Sequence, residues 1–195
     1  LNRGWMMCAG EFVGYLSSDD VLYPTAISKL AEILRTDPGC VCVFPDADLI
    51  DERSRPIKRN VCRPFDLAEL VVRQECYIGP GALFRRDAFL KAGGWRRDVR
   101  LAPDREFWMR IARYGSFRMV PETLAGYRMH TGSISYKETA PEVAREYVRV
   151  LDDYFAGEGV PEYLRRRSRE AYGYAHLVVA RACFRSGRFA EGMRE

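Results

Sequence analysis

Gly10-Glu11-Phe12-Val13-Gly14-Tyr15-Leu16-Ser17-Ser18-Asp19-Asp20 is the stretch on which the reading of this 195-residue chain turns. Phe12, Gly14 and Leu16 recur with the period of a strand, and two carboxylates stand where that strand should end. Strand ends in open α/β sheets are where ligands bind. Adjacent carboxylates repel, so they need a cation or strong donors beside them. A hard divalent ion takes oxygen ligands and commonly arrives with phosphates, which makes it the economical partner. The same pair could instead cap a helix over 25–35. Local sequence leaves both readings standing.

Outward from this stretch the pattern alternates strands and helices. Pro24 marks a helix start, and Ile27, Leu30, Ala31 and Leu34 follow at helical spacing until Asp37-Pro38-Gly39. Cys40-Val41-Cys42-Val43-Phe44 is an apolar run of the buried-strand kind. Residues 46–64 are polar and read as a short strand near 48–50 followed by a loop, with Asp46 and Asp48 as ordinary polar strand-end residues. Asp66 caps a helix at 67–73, 82–85 is a short strand, and 86–92 is a helix closed by Gly93-Gly94. Residues 104–114 form an amphipathic helix with Phe107, Trp108, Ile111 and Ala112 inward, ended by Gly115 at its C′ position. Two strands follow, 117–120 and 124–128. From about 139 the sequence is helical to its end, with breaks at 157–161 and 186–187. The expected organisation is therefore 1–137 and a helical extension, 138–195.

Composition narrows the class. Hydrophobic residues make up 47% and charged residues 30%, as in soluble globular proteins. No run approaches the roughly 18 apolar residues of a membrane span. The net charge of +4 suits anionic small molecules, and carboxylates nearly balance the scattered basic residues, which argues against nucleic acid. Six cysteines without a Cys-x-x-Cys pair and two distant histidines argue against zinc and favour reduced, buried thiols in a cytoplasmic setting.

Four segments in order carry a resemblance: Leu16-Ser17-Ser18-Asp19-Asp20; 81–86 followed by Ala92-Gly93-Gly94-Trp95; Asp104-Arg105-Glu106-Phe107-Trp108-Met109-Arg110; and Tyr127-Arg128-Met129-His130 with Ser133 and Ser135. Together they resemble the inverting nucleotide-sugar glycosyltransferases of family 2, over roughly residues 1–136. The resemblance implies an α/β fold, a GT-A type three-layer sandwich, with an α-helical C-terminal extension. It implies a nucleotide-sugar donor, by family habit UDP-linked, and a glycan, lipid-linked or cell-envelope acceptor. It implies Mn²⁺ or Mg²⁺ held by Asp19, Asp20 and His130, with Arg128 and His130 on the phosphate oxygens. Asp104 becomes the catalytic base, and Arg85, Arg86 and Trp95 the acceptor side. Peripheral membrane association and oligomeric state stay open.

Three departures from the family pattern stand out. Ser17 replaces the first Asp of the metal motif, and Pro103 replaces an acidic residue often found before the base. The family's first βαβ units have no counterpart here; at about 30 residues each, on the order of 80 residues are expected upstream. These departures motivate the alternative of a non-catalytic, glycosyltransferase-like binding or interaction protein.

Overall fold

The computed structural model describes residues 1–101, 103–130 and 139–195. These divide into two compact units whose segments interleave along the chain. The first comprises Leu1–Phe65, Tyr77–Trp95 and Arg110–Tyr136; the second comprises Asp66–Cys76, Arg96–Met109 and Lys137–Glu195.

The first unit is built on a mixed sheet of β1 (Phe12–Gly14), β2 (Val21–Leu22), β3 (Cys40–Ile50), β4 (Pro56–Lys58), β5 (Leu83–Arg85) and β6 (Ser116–Arg128). The strand order is β1-β5-β3-β6-β2, with β4 paired to β3. The long central pair β3–β6 is parallel; the other pairings are antiparallel. Helices α1 (Asn2–Met7), α2 (Ala26–Thr36) and α4 (Arg86–Ala92) cover it. Neighbouring residues of β5 face opposite sides of the sheet, as strand geometry requires. Leu83 packs with Leu30, Leu34 and Val43 under α2, whereas Phe84 meets Trp5 of α1 edge-on at 5.3 Å. Leu30 and Leu34 are fully buried, each contributing about 1.5–3 kcal/mol by area.

β3 departs from the sequence expectation. It runs unbroken from Cys40 to Ile50, through Pro45 and two aspartates, and is buried at ten of its eleven positions. Pro45 is tolerated because the register against β6 shifts at Pro45/Asp46 and again at Asp46/Ala47, a bulge that releases the missing N–H from the ladder. Asp46 and Asp48, at 5% and 3% exposure, are satisfied inside: Asp46 accepts from the backbone N–H of Ala47 and Cys62 and from Asn60 Nδ2, and Asp48 accepts from the Asn60 N–H at 3.0 Å. β6 likewise joins the two short strands expected at 117–120 and 124–128 into one.

The second unit is helical: α3 (Leu67–Val71), α5 (Pro103–Ile111, whose last two residues fall in the first unit), α6 (Pro141–Ala144), α7 (Glu146–Ala156), α8 (Glu162–Arg165), α9 (Ser168–Arg185) and α10 (Phe189–Gly192). Asp66 caps α3 as expected, accepting from the Ala68 N–H at 2.7 Å. The buried stripe of α9, Ala171, Ala175, Val179, Ala182 and Cys183, has helical period and small side chains. Ala144 and Val148 pack against it. α5 ends at Ile111, so Gly115 is not its C′ residue. A Cβ there would lie 2.6 Å from the Gly39 carbonyl, and that close approach is what needs glycine. No described helix is long and apolar enough to cross a membrane. The six cysteines are free thiols.

Candidate active site

β2 and β6 assemble the acidic pair in the first unit. Their register places Val21 opposite Gly126 and Leu22 opposite Ala125, which draws residues 19 and 20 alongside Arg128. Gly126 leaves room there: a Cβ would lie 2.8 Å from Ile50 Cδ1 and 2.9 Å from Val21 Cγ2, so those side chains would have to shift. The Arg128 N–H donates to Asp20 Oδ1 at 2.9 Å. The Arg128 guanidinium donates to the Asp19 carbonyl at 2.7 Å, the Asp51 carbonyl at 2.6 Å and Ser54 Oγ at 2.9 Å. One residue further on, the Met129 N–H continues the ladder to the Ile50 carbonyl at 2.9 Å, and His130 Nε2 lies 3.0 Å from Asp19 Oδ2. Burial, reinforced by the charge of Asp19, pushes the Asp20 carboxyl above its ordinary range against the Arg128 N–H and the Ser17 hydroxyl, which favour the ionised form. Ser17, the departure from the family motif, therefore contributes as a donor to Asp20.

Of the residues expected here, the structure brings together Asp19, Asp20, Arg128 and His130. Arg128 donates to the Asp19 and Asp51 carbonyls and to the Ser54 hydroxyl, so it ties the 19–20 and 51–54 turns to the end of β6. Ser133 and Ser135 lie outside the described residues. Asp51 was not singled out in the sequence. Its carboxylate accepts from the N–H groups of Arg53 and Arg55 at 2.9 Å each, building the turn that receives Arg128. An Asp opening a polar run is the signal for such a turn, but it does not say which arginine will meet it.

Asp104 belongs to the second unit. It is the second residue of α5 rather than its cap. Burial pushes its carboxyl above the ordinary range, opposed by the backbone N–H groups of Asp104 and Arg105 at the helix start and by the Arg105 charge. Arg105 is 2% exposed. Its Nη1 donates to Gln74 Oε1 and, at 3.4 Å, to the Leu70 carbonyl. Its guanidinium carbon lies 4.2 Å from the centroid of the Tyr147 ring.

The three acceptor-side candidates belong to the first unit, and each is bonded to its backbone or side chains. Arg85 donates to the carbonyls of Cys40 at 2.9 Å, Asp37 at 3.1 Å and Leu34, and lies over the Phe12 ring. Arg86 Nε donates to the Cys8 carbonyl at 2.8 Å. Trp95 is pinned to Asn2 by two hydrogen bonds, at 2.8 and 2.9 Å, and its ring meets Tyr15 edge-on at 5.1 Å. In this structure all three hold the sheet unit together.

The expected divalent ion can be tested against the donor set. Among the described residues no group of three or more His, Cys, Asp or Glu forms a cage. Mg²⁺ and Mn²⁺ bound with a nucleotide do not require one; one or two protein ligands suffice when phosphates and water supply the rest. Asp19 and His130, 34% and 30% exposed and in direct contact, fit such a half-site. Asp20, held by Arg128, fits it less directly.

Comparison with known proteins identifies the fold. The structure matches that of S. aureus TarS 1-349 in complex with UDP-GlcNAc over 93% of this chain and 50% of that one, with a TM-score of 0.62 at 11% identity. It covers 100% of its length on the mannosyltransferase PcManGT from Pyrobaculum calidifontis in complex with GDP-Man and Mn²⁺, and 52% of that chain, with a TM-score of 0.57 at 20% identity. The fold is the GT-A type of the glycosyltransferases. More narrowly, the family model described as Glycosyl transferase family 2 matches residues 1–93. Similar curated proteins include the O-antigen biosynthesis protein RfbC of Myxococcus xanthus, 24% identical over 81% of this chain, and the chondroitin synthase of Escherichia coli, 21% identical over 83%. The chain spans 12% and 23% of the length of those two relatives.

Proposed function

We propose that the protein transfers a sugar, with inversion, from a nucleoside-diphosphate sugar to a hydroxyl of a growing polysaccharide or lipid-linked glycan. The donor complexes of the structural relatives support the nucleotide-sugar class, with UDP-linked sugars the first to try. The O-antigen and chondroitin relatives support the acceptor class.

The observation that carries the reading is the Glycosyl transferase family 2 match over residues 1–93 on a GT-A type fold; within it Asp104 sits in the first turn of α5, where burial pushes its carboxyl up. A general base needs that: a carboxylate at ordinary affinity is a weak proton acceptor near neutral pH. In the proposed reaction the acceptor oxygen forms a bond to the anomeric carbon, the bond from that carbon to the diphosphate oxygen breaks with its electron pair, and the acceptor proton passes to Asp104. Asp19 and His130 hold the diphosphate end of the donor. A Mn²⁺ or Mg²⁺ on these two residues would neutralise charge on the leaving diphosphate. Arg128 acts through the backbone, keeping Asp19 and His130 side by side.

The test is Asp104→Asn in the protein with its natural ends, assayed by nucleoside-diphosphate release from UDP-GlcNAc and from GDP-mannose with water as acceptor. Turnover is expected to fall by roughly 10²–10⁴-fold, the usual contribution of a general base. A UDP isotherm on the same variant is expected to stay within about twofold. Retained turnover removes Asp104 from the mechanism.

A further inference from the structure

The helical extension carries a feature that the transferase reading leaves unused. One face of α7 is devoted to the segment leading into Asp104. Glu146, 8% exposed, places its Oε2 on the backbone N–H groups of Arg100, at 2.5 Å, and Leu101, at 2.9 Å. One turn on, Arg149 donates to the Asp98 carbonyl. One turn further, Asp153 accepts from Arg96 Nη1 at 2.5 Å, and Arg96 also grips Asp98 at 2.6 Å. Residues 146, 149 and 153 recur at the spacing of one helical face. Glu146 is followed at once by Tyr147, whose ring covers the guanidinium of Arg105 at 4.2 Å. The residues before Asp104 and the residue after it are thus held by two consecutive residues of one helix.

A buried carboxylate spent on two backbone N–H groups is costly to place, and it specifies geometry. Arg105 has the same character. Among the described residues its guanidinium donates to a neutral amide and a carbonyl and lies against an aromatic face, its buried Nε is without a hydrogen-bond partner, and the charges of Asp104 and Glu106 act on it. Tyr147 supplies one side of the shape that holds it.

We propose that Glu146 and Tyr147 are positioning residues for Asp104: they fix the chain on either side of it, so that the helical extension is part of the catalytic apparatus. This rests on the reading of Asp104 as the base. Misplacing a catalytic group by about 1 Å costs on the order of 10²-fold in rate, so releasing either anchor should act on turnover and not on donor affinity.

The experiment measures kcat and donor KM for hydrolysis of UDP-GlcNAc and GDP-mannose in the protein with its natural ends. Glu146→Ala and Tyr147→Leu are expected to lower kcat by roughly ten- to a hundredfold with donor KM held within about twofold. Glu146→Gln keeps an acceptor oxygen and Tyr147→Phe keeps the ring, so each is expected to recover kcat to within roughly fivefold of the parent. Unchanged kcat in Glu146→Ala and Tyr147→Leu overturns the proposal. So does a parallel loss of kcat and donor affinity that the conservative variants do not rescue, which would make the two residues merely structural. If Glu146→Ala is insoluble, Tyr147→Leu, which exchanges one half-buried apolar body for another, carries the test alone. Asp104→Asn run alongside separates the two readings. Turnover surviving in that variant sinks the base itself, whereas its loss together with unaffected α7 variants sinks only the positioning role.

Discussion

The sheet unit and the helical unit each hold a carboxyl that burial pushes above its ordinary range, and they differ in the donors set against that push. In the sheet unit the pair Asp19–Asp20 is surrounded by donors: His130 on one side chain, the Arg128 N–H on the other, and the Arg128 guanidinium on the backbone between. In the helical unit Asp104 is governed by desolvation, with only the start of its own helix and the charge of Arg105 in opposition. Donor-rich surroundings suit carboxylates proposed to share a cation. Desolvation suits one that must take a proton. If Asp19 and Asp20 bind and Asp104 takes a proton, as proposed, it is the donors around each carboxylate, rather than proximity to a strand end, that separate the two roles.

The largest way to break that comparison is Asp19→Asn. If the sheet-unit pair binds the diphosphate through a cation, this change should weaken Mn²⁺-dependent UDP binding by roughly 10–100-fold or more, while metal-independent binding stays as it was. An unaltered Mn²⁺ titration would move the cation away from Asp19 and leave the pair as a structural turn. Set beside Asp104→Asn, which should spare the isotherm and abolish turnover, it gives a crossed pattern that a single shared role could not produce.

Arg128→Ala comes next and sharpens the sheet-unit half. It removes guanidinium bonds to the Asp19 and Asp51 carbonyls and to Ser54. A charged donor is worth about 1.5–3 kcal/mol where it is buried, and partial exposure of this one argues for a net loss of about 2 kcal/mol in urea unfolding. Donor affinity should fall only as far as Asp19 and His130 lose their alignment. A variant with unchanged stability and sharply reduced UDP binding would return Arg128 to direct phosphate contact.

How much of this was legible beforehand differs between the same two units. The acidic pair, Tyr127-Arg128-Met129-His130 and the helix opening at 103–104 could be picked out because their chemistry is compressed into a few adjacent residues. The length of β3 could not. Pro45, Asp46 and Asp48 are loop signals, and only the bulge against β6 and the donors of Asn60 and Cys62, more than a dozen residues away, turn them into buried strand. Arg85 and Arg128 could be recognised as important and not as backbone-bonded, since the carbonyls they serve come from distant turns. Glu146 and Tyr147 carry no local signature at all. They sit in an ordinary amphipathic helix, and only contact with residues 100–105 gives them meaning.

The smallest expected effect probes Asp104 through stability. Its folded-state proton affinity is raised, so between the ordinary carboxylate range and that raised value the folded chain holds more protons than the unfolded one. Stability contributed by the protonated group is present below the unfolded pKa and is lost as pH rises through the folded one. Asp104→Asn has no such loss. Its melting temperature should therefore meet that of the parent at about pH 4 and exceed it by a small, growing margin toward neutral pH. A gap of the opposite sign would mean that the carboxylate is stabilised when charged, and Asp104 would lose the raised proton affinity that sets it up as a base. A gap of the expected sign, in a variant that has lost turnover, would show a residue kept for reactivity at a cost to the fold.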